Sequence, residues 1–172
     1  FFSHTLKKQP YNAKLLRAIL EKKITLIDYE VIKDLNGKRL IGFGRYAGIV
    51  GVFEGIRALG MKKNWFALPS PMTFHDRAEM EMTGSKIHFP KPIKAVVTGW
   101  GRVGHGAEEM MRFFNFEKVT LKDYLEKSFD HSVYVHLDSE DYYIHKENGT
   151  FDKKDFYQNP SLYTSVLGDI IQ

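Results

Sequence analysis

The segment Gly99-Trp100-Gly101-Arg102-Val103-Gly104-His105-Gly106-Ala107 constrains the fold more than any other part of the 172-residue chain. It follows the run Ile93-Lys94-Ala95-Val96-Val97-Thr98 and precedes Glu108 to Phe114, a stretch suited to a helix. Strand, tight glycine turn and helix, in that order, form the layout that seats a dinucleotide diphosphate on a helix N-terminus. Each glycine has a physical task. Gly99 permits the turn out of the strand, Gly101 lets the backbone approach the diphosphate, and Gly104 lets the helix pack closely on the sheet. Arg102 and Val103 belong to the expected cofactor-binding set, with Arg102 placed to cover the diphosphate.

Composition narrows the class. At 43% hydrophobic and 27% charged residues, the chain reads as a globular domain or two small ones. It contains no Cys, which excludes a disulfide scaffold, a thiolate nucleophile and a Cys-ligated metal. This fits a cytoplasmic setting, which is the expected location. No apolar run of about 18 residues occurs, so no membrane association is expected. The net charge of +4 is accounted for in part by a nucleotide diphosphate. Lys and Arg do not cluster among aromatics, so no nucleic-acid partner is expected. The chain opens Phe1-Phe2-Ser3-His4, without an initiator Met. The stretch from Gly99 to Gln172 has room for at most one of the two mononucleotide halves of a doubly wound domain. The expectation is therefore a piece of a longer enzyme.

The expected fold class is α/β: part of a substrate domain joined to the first half of a Rossmann-like dinucleotide-binding domain. The first piece covers residues 1–60, a connector 61–89, and the nucleotide-binding piece 90–172. Phe1 to Thr5 reads as a strand end. Pro10 and Asn12 precede an amphipathic helix carrying Leu15, Leu16, Ile19 and Leu20 on one face. Thr25 to Ile32 is β-rich, and Asn36-Gly37 signals a hairpin turn toward Arg39 to Phe43. Gly44 to Leu59 reads as a helix whose Gly48, Gly51 and Gly55 permit close packing. Gly44 and Arg45 mark a hinge. His75 to Thr83 is a short charged helix. Beyond the glycine turn, Lys118 to Thr120 and Ser132 to His136 are strands flanking a helix at Leu121 to Lys127. Asp152 to Tyr157 and Pro160 to Val166 read as helical.

Four blocks together carry a family resemblance: Phe2-Ser3-His4-Thr5-Leu6-Lys7-Lys8-Gln9, Leu26-Ile27-Asp28-Tyr29-Glu30, Gly42-Phe43-Gly44-Arg45-Tyr46-Ala47-Gly48, and the glycine turn. In that order they resemble the alanine dehydrogenase and transhydrogenase N-terminal superfamily, and within it the lysine-forming saccharopine dehydrogenases. The resemblance implies a two-domain oxidoreductase with a cleft between its domains. It implies NAD as cofactor, with NADP left open, and an amino acid or saccharopine-like adduct as small-molecule substrate. The reaction implied is hydride transfer at a C–N centre, followed by opening of the imine by water. The family's catalytic His falls on His4. Its catalytic Lys and a substrate-binding Arg would precede Phe1. The acidic residue expected for the adenosine ribose falls on Asp123, or Asp123 serves the next helix instead.

Histidine suits proton transfer near neutral pH, which agrees with a catalytic His4. Lys7, Lys8 and Gln9 either bind a substrate carboxylate or form a solvated helix start; Lys8 and Gln9 are the expected substrate-binding residues. His75 and Asp76 read as the start of a surface helix. His131, His136 and His145 lack a compact ligand spacing, so no metal is expected. Asp138, Glu140, Asp141, Tyr142 and Tyr143 form an acidic-aromatic patch that either reaches the nucleotide or faces solvent. A nucleotide-binding module without catalysis is the alternative function. The oligomeric state is open.

Overall fold

The computed structural model describes residues 3–171, and its contacts divide the chain into two compact units, 1–43 and 44–172.

In the first unit, the strand end expected over Phe1–Thr5 lies partly outside the described residues. The described part does not extend it: Thr5–Lys7 forms one 3-10 turn. Pro10–Asn12 forms a second such turn and leads into helix α1 (Ala13–Glu21), as expected from the apolar spacing. Leu15, Leu16 and Leu20 on α1 remain exposed. The β-rich reading of Thr25–Ile32 is corrected to irregular chain with a 3-10 turn at Tyr29–Val31. Asp28 dictates that turn by accepting the Glu30 N–H at 2.9 Å, an Asx-type bond that competes with strand pairing. The hairpin shrinks to one antiparallel bridge, Lys33 to Arg39, around Gly37 at φ 78°. Among the described residues, the buried ones in this unit are polar: Ser3, Thr5, Asp28 and Glu30.

The second unit begins with helix α2 (Gly44–Lys63). Ile49, Phe53, Ile56 and Gly60 are buried, a spacing of four, three and four that puts them on one face. Residues 44–60, expected in the first piece, thus pack with the second. Helix α3 (Arg77–Gly84) starts at Asp76, whose carboxylate accepts the Glu79 N–H at 2.9 Å, as a helix start there requires. Strand β1 (Lys94–Thr98), helix α4 (Arg102–Phe113), strand β2 (Glu117–Lys118), helix α5 (Leu121–Glu126) and strand β3 (Val133–Leu137) come next. The three strands form a parallel sheet in the order β1-β3-β2.

This order differs from a doubly wound half, where the second strand lies between the first and third. Burial explains it. All five residues of β3 are buried, whereas β2 is a short exposed Glu-Lys pair. Val133, Val135 and Leu137 join Tyr124 and Ile170 in one core cluster, and Tyr134 joins Ile49, Phe53, Met110 and Phe114 in the other. A parallel strand buried on both faces takes the centre.

Helix α4 packs between the sheet and α2, and small residues set the spacing. A Cβ on Gly48 would lie 1.9 Å from the Val103 carbonyl oxygen, and one on Gly106 would lie 1.9 Å from that of Arg45. Gly51 and Gly55 do not share this role; a Cβ on either meets nothing within 4 Å. They face away from α4. Arg45, expected at a hinge, is held by Glu109 of α4 at 2.8 and 2.9 Å, and Arg77 of α3 reaches the same carboxylate at 2.8 Å.

Past β3, helix α6 (Ser139–Tyr142) and strand β4 (Tyr143–His145) lead to helix α7 (Lys153–Gln158), strand β5 (Tyr163–Ser165) and helix α8 (Leu167–Ile170). The helical reading of Pro160–Val166 is corrected: a 3-10 turn at Pro160–Leu162 precedes β5, which pairs antiparallel with β4. Tyr163 is drawn into an aromatic cluster with His145, Phe151 and Phe156, and that packing overrides the helical start at Pro160. No helix among the described residues is long and apolar enough to cross a membrane.

Candidate functional site

The glycine turn lies at the carboxyl end of β1, where open parallel sheets place their ligands. Gly99 has φ 87°, a left-handed conformation that a side chain would strain. Its N–H continues the ladder by donating to the Leu137 carbonyl of β3 at 2.8 Å. Gly104 is required for a different reason, since its Cβ would fall 1.7 Å from the Gly99 carbonyl oxygen. Gly101 has φ −82° and a Cβ there meets nothing within 4 Å, so the fold of this chain does not demand glycine at that position. Arg102 and Val103 open α4 with exposed side chains, and the first N–H groups of the helix have no intrahelical acceptor. The turn therefore combines an exposed helix start with a glycine whose bareness serves nothing internal.

Beneath the turn is a charged cluster that sequence reasoning missed. Glu108 of α4 is 4% exposed. Its Oε1 receives Lys118 Nζ at 2.8 Å, Arg112 at 2.8 Å and the Tyr134 hydroxyl at 3.2 Å. Its Oε2 faces His136 Nδ1 at 3.3 Å and His105 Nδ1 at 3.7 Å. Burial by itself would raise the pKa of this carboxyl; Lys118 and Arg112 overcome that and bring it down to about 2. The His136 side chain is fully buried, with Nε2 2.8 Å from the Gly99 carbonyl oxygen and the Trp100 indole stacked on its ring at 4.4 Å. The signal for this cluster was a His at the end of an otherwise apolar strand that leads back to the glycine turn.

Asp123 is not brought to the turn. It occupies the first turn of α5, its N–H bonds to the capping Thr120 hydroxyl, and its carboxylate pairs with Lys127 at 2.9 Å. The Lys127 ammonium lowers its pKa. β3 separates its strand from β1. Of the two sequence readings, the helix role is the one the structure displays. The acidic-aromatic patch folds likewise into local structure: Asp138 and Asp141 form a capping box on α6, and Lys153 pairs with Asp138 at 2.8 Å.

In the first unit, His4 and Lys8 flank the Thr5–Lys7 turn, both left-handed at φ 56° and 49°. Non-glycine residues held this way carry about 1–2 kcal/mol each. His4 Nδ1 lies 2.9 Å from Glu30 Oε2, and the imidazole is 45% exposed while the carboxylate is 7% exposed. Lys7 and Arg39 also approach Glu30, each at 3.4 Å. The carboxylate can only accept, so Nδ1 donates to it and Nε2 is the ring nitrogen outside this bond. Lys8 and Gln9 border a hollow of about 270 Å³ that Thr5, Pro10, Asn12, Ala13 and Leu16 complete. The Gln9 carboxamide also accepts the Tyr11 hydroxyl. Ser3 donates to Asp28, whose pKa is lowered by that bond and by the Glu30 N–H. Among the described residues, no group of three His, Asp or Glu is arranged to hold a metal ion.

No family model matches the chain. It is similar to the alpha-aminoadipic semialdehyde synthase of Arabidopsis thaliana, with 30% identity over 99% of this chain and 19% of that protein. The mitochondrial alpha-aminoadipic semialdehyde synthase of Mus musculus is 30% identical over 96% of this chain and 20% of its own length. The saccharopine dehydrogenase [NAD(+), L-lysine-forming] of Candida glabrata is 29% identical over 64% of this chain and 32% of its own. The chain thus spans about a fifth of the first two relatives. Over nearly its whole length the chain is a homologue of one stretch of the alpha-aminoadipic semialdehyde synthases, and over 64% of it, of part of a saccharopine dehydrogenase.

Proposed function

We propose that the chain carries the diphosphate-binding turn and the acid–base histidine of an NAD(P)-dependent oxidoreductase acting on the C–N bond of an amino acid or a saccharopine-like adduct. The observation that carries this reading is Gly101. Backbone conformation accounts for Gly99 and close packing for Gly104, and neither accounts for Gly101. An external group approaching the backbone does. The open Cβ position and the exposed start of α4 fit a diphosphate. The turn and the two strands beside it serve as part of a Rossmann-like unit in this reading, with β3 in the place next to β1. The saccharopine dehydrogenase relative is named for NAD(+), which favours that cofactor.

When bound, the nicotinamide supplies hydride chemistry at the substrate carbon attached to nitrogen. The chain's own groups do the rest. The N–H groups at the start of α4 and the Arg102 guanidinium bind the diphosphate. His4, fixed by Glu30, exchanges protons through Nε2 with the substrate amine and with the water that opens the imine. Lys8 and Gln9 bind a substrate carboxylate.

The test is an NADH titration of the full-length protein by fluorescence, with Gly101→Val as the variant. A valine there meets no atom of the chain at its Cβ but is a poorer N-cap for α4 than glycine, so the melting temperature should fall by no more than about 4 °C. NADH affinity should fall at least about tenfold, because the branched side chain stands in the diphosphate path. A folded variant that binds as tightly as wild type places the cofactor elsewhere. Turnover with saccharopine, or with lysine plus 2-oxoglutarate, followed at 340 nm, separates the enzyme from a binding module without catalysis.

A further inference from the structure

We infer that His136 is a positioning residue for the diphosphate turn, holding the Gly99 carbonyl inward so that the Trp100 N–H faces the ligand; this rests on the reading of the turn as the diphosphate site.

The geometry runs through one peptide plane. The Gly99 carbonyl oxygen can only accept, so His136 Nε2 at 2.8 Å donates. The His136 side chain has no exposed surface, so the carbonyl points into the protein. In a trans peptide the N–H lies opposite the C=O. The Trp100 N–H is therefore aimed out of the turn, alongside the N–H groups that begin α4. Free rotation of the Gly99–Trp100 peptide would turn a carbonyl oxygen toward an incoming diphosphate, which repels it.

Two contacts and one clearance keep His136 in place. Glu108 faces Nδ1 at 3.3 Å, and Glu108 is itself gripped by Lys118 and Arg112. The Trp100 ring covers the imidazole with an interplanar angle of 6°. A Cβ on Gly104 would come within 3.0 Å of Nε2, so the bare α-carbon of Gly104 also leaves the ring its room. The buried Glu108 of α4, with its Lys118 and Arg112 partners, and His136 of β3 thus converge on one backbone carbonyl. A hydrophobic side chain at 136 would fill the core equally well, but it would leave the Gly99 carbonyl buried without its donor.

Two variants separate the donor from the rest of the ring. In His136→Gln the amide nitrogen lies the same number of bonds from Cα as Nε2, so the donor to Gly99 is kept. In His136→Asn only the Nδ1 position is reproduced, so that donor is lost. NADH affinity is measured in the full-length protein alongside the melting temperature. The Asn variant should bind NADH at least tenfold more weakly and the Gln variant within about threefold of wild type, both folded. A folded Asn variant with wild-type affinity overturns the role of His136, and so does a folded Gln variant weakened tenfold. Should Asn not fold, the Gln variant decides by the same threshold. In wild type, amide hydrogen exchange resolved at Trp100 should slow under saturating NADH, and an unchanged rate there overturns the proposal whatever the variants do. If Gly101→Val weakens NADH binding while Trp100 exchange stays unchanged, this inference fails and the diphosphate reading stands. If Gly101→Val binds normally, the diphosphate reading itself fails.

Discussion

His4 and Glu30, separated by 26 residues, are joined by a 2.9 Å hydrogen bond between a half-exposed imidazole and a buried carboxylate. The arrangement fixes which ring nitrogen is free, and a fixed tautomer is what a proton-exchanging histidine needs. In the proposed reading, replacing His4 with Gln should lower kcat of the full-length protein by about 10²–10⁴. NADH affinity should hardly change, since the glycine turn belongs to the other unit. Glu30→Gln should lower kcat by a smaller factor, about tenfold or more, by releasing the ring. Steady-state kinetics at 340 nm read both. Wild-type turnover in His4→Gln would remove this histidine from the mechanism.

The crossing of α2 and α4 makes opposite predictions for two glycines on one helix. Gly48→Ala would put its methyl carbon 1.9 Å from the Val103 carbonyl oxygen, far inside contact distance. The helices must separate, at a cost of about 3 kcal/mol. Gly51→Ala places its methyl in open space and removes backbone entropy from the unfolded chain. It should stabilise the protein by about 0.5–1 kcal/mol. Urea unfolding midpoints of the two variants should move in opposite directions. Equal shifts would mean that the two glycines share one environment.

This contrast marks how far the sequence could be read. The apolar period of α1, the Asp76 helix start and the strand–turn–helix order around Gly99 were all visible, because each depends on neighbours in sequence. Which glycine touches α4 was not, because Gly48, Gly51 and Gly55 differ only in which side of the helix meets a segment more than fifty residues away. The central place of β3 was present in its apolar run, interrupted only by His136, but was outweighed by the expected strand order. Glu30, Glu108 and His136 were missed for a common reason. A buried polar residue looks like a surface one until its partners are known, and these partners lie on other elements. Asp28 defeated the strand expected over Thr25–Ile32 by a bond to its own backbone two residues on.

Glu108 should give the fold an acid sensitivity that can be isolated. Its folded pKa is depressed from 4.5 to about 2, so its contribution is complete above pH 4.5 and is lost as pH falls toward 2. The shift corresponds to about 3 kcal/mol at most. Urea unfolding of wild type and Glu108→Gln, measured from pH 6 down to pH 2, should show the gap between them narrowing across that window. Above it, the variant should be the less stable, because Lys118 and Arg112 lose a buried counter-charge. Parallel profiles would show that Glu108 carries no such linkage.

Asp123 provides a test in which nothing should happen to the cofactor. A ribose-binding carboxylate must stand at the end of the strand next to the one that carries the glycine turn. Here the neighbour of β1 is β3, and β2 lies one strand further out, about 10 Å from β1 at ordinary strand spacing. Asp123 does not end β2 either. It lies in the first turn of α5, where its charge complements the helix dipole and its carboxylate pairs with Lys127 at 2.9 Å. Asp123→Asn should therefore leave NADH affinity within about twofold of wild type, as expected for a group that makes no ligand contact. It should slightly destabilise α5 by removing the Lys127 pair. NADH titration of the full-length variant reads the first effect and thermal melting the second. A tenfold loss of affinity without a change in melting would put this carboxylate on the ribose after all, and would require β2 to sit closer to the turn when the cofactor is bound.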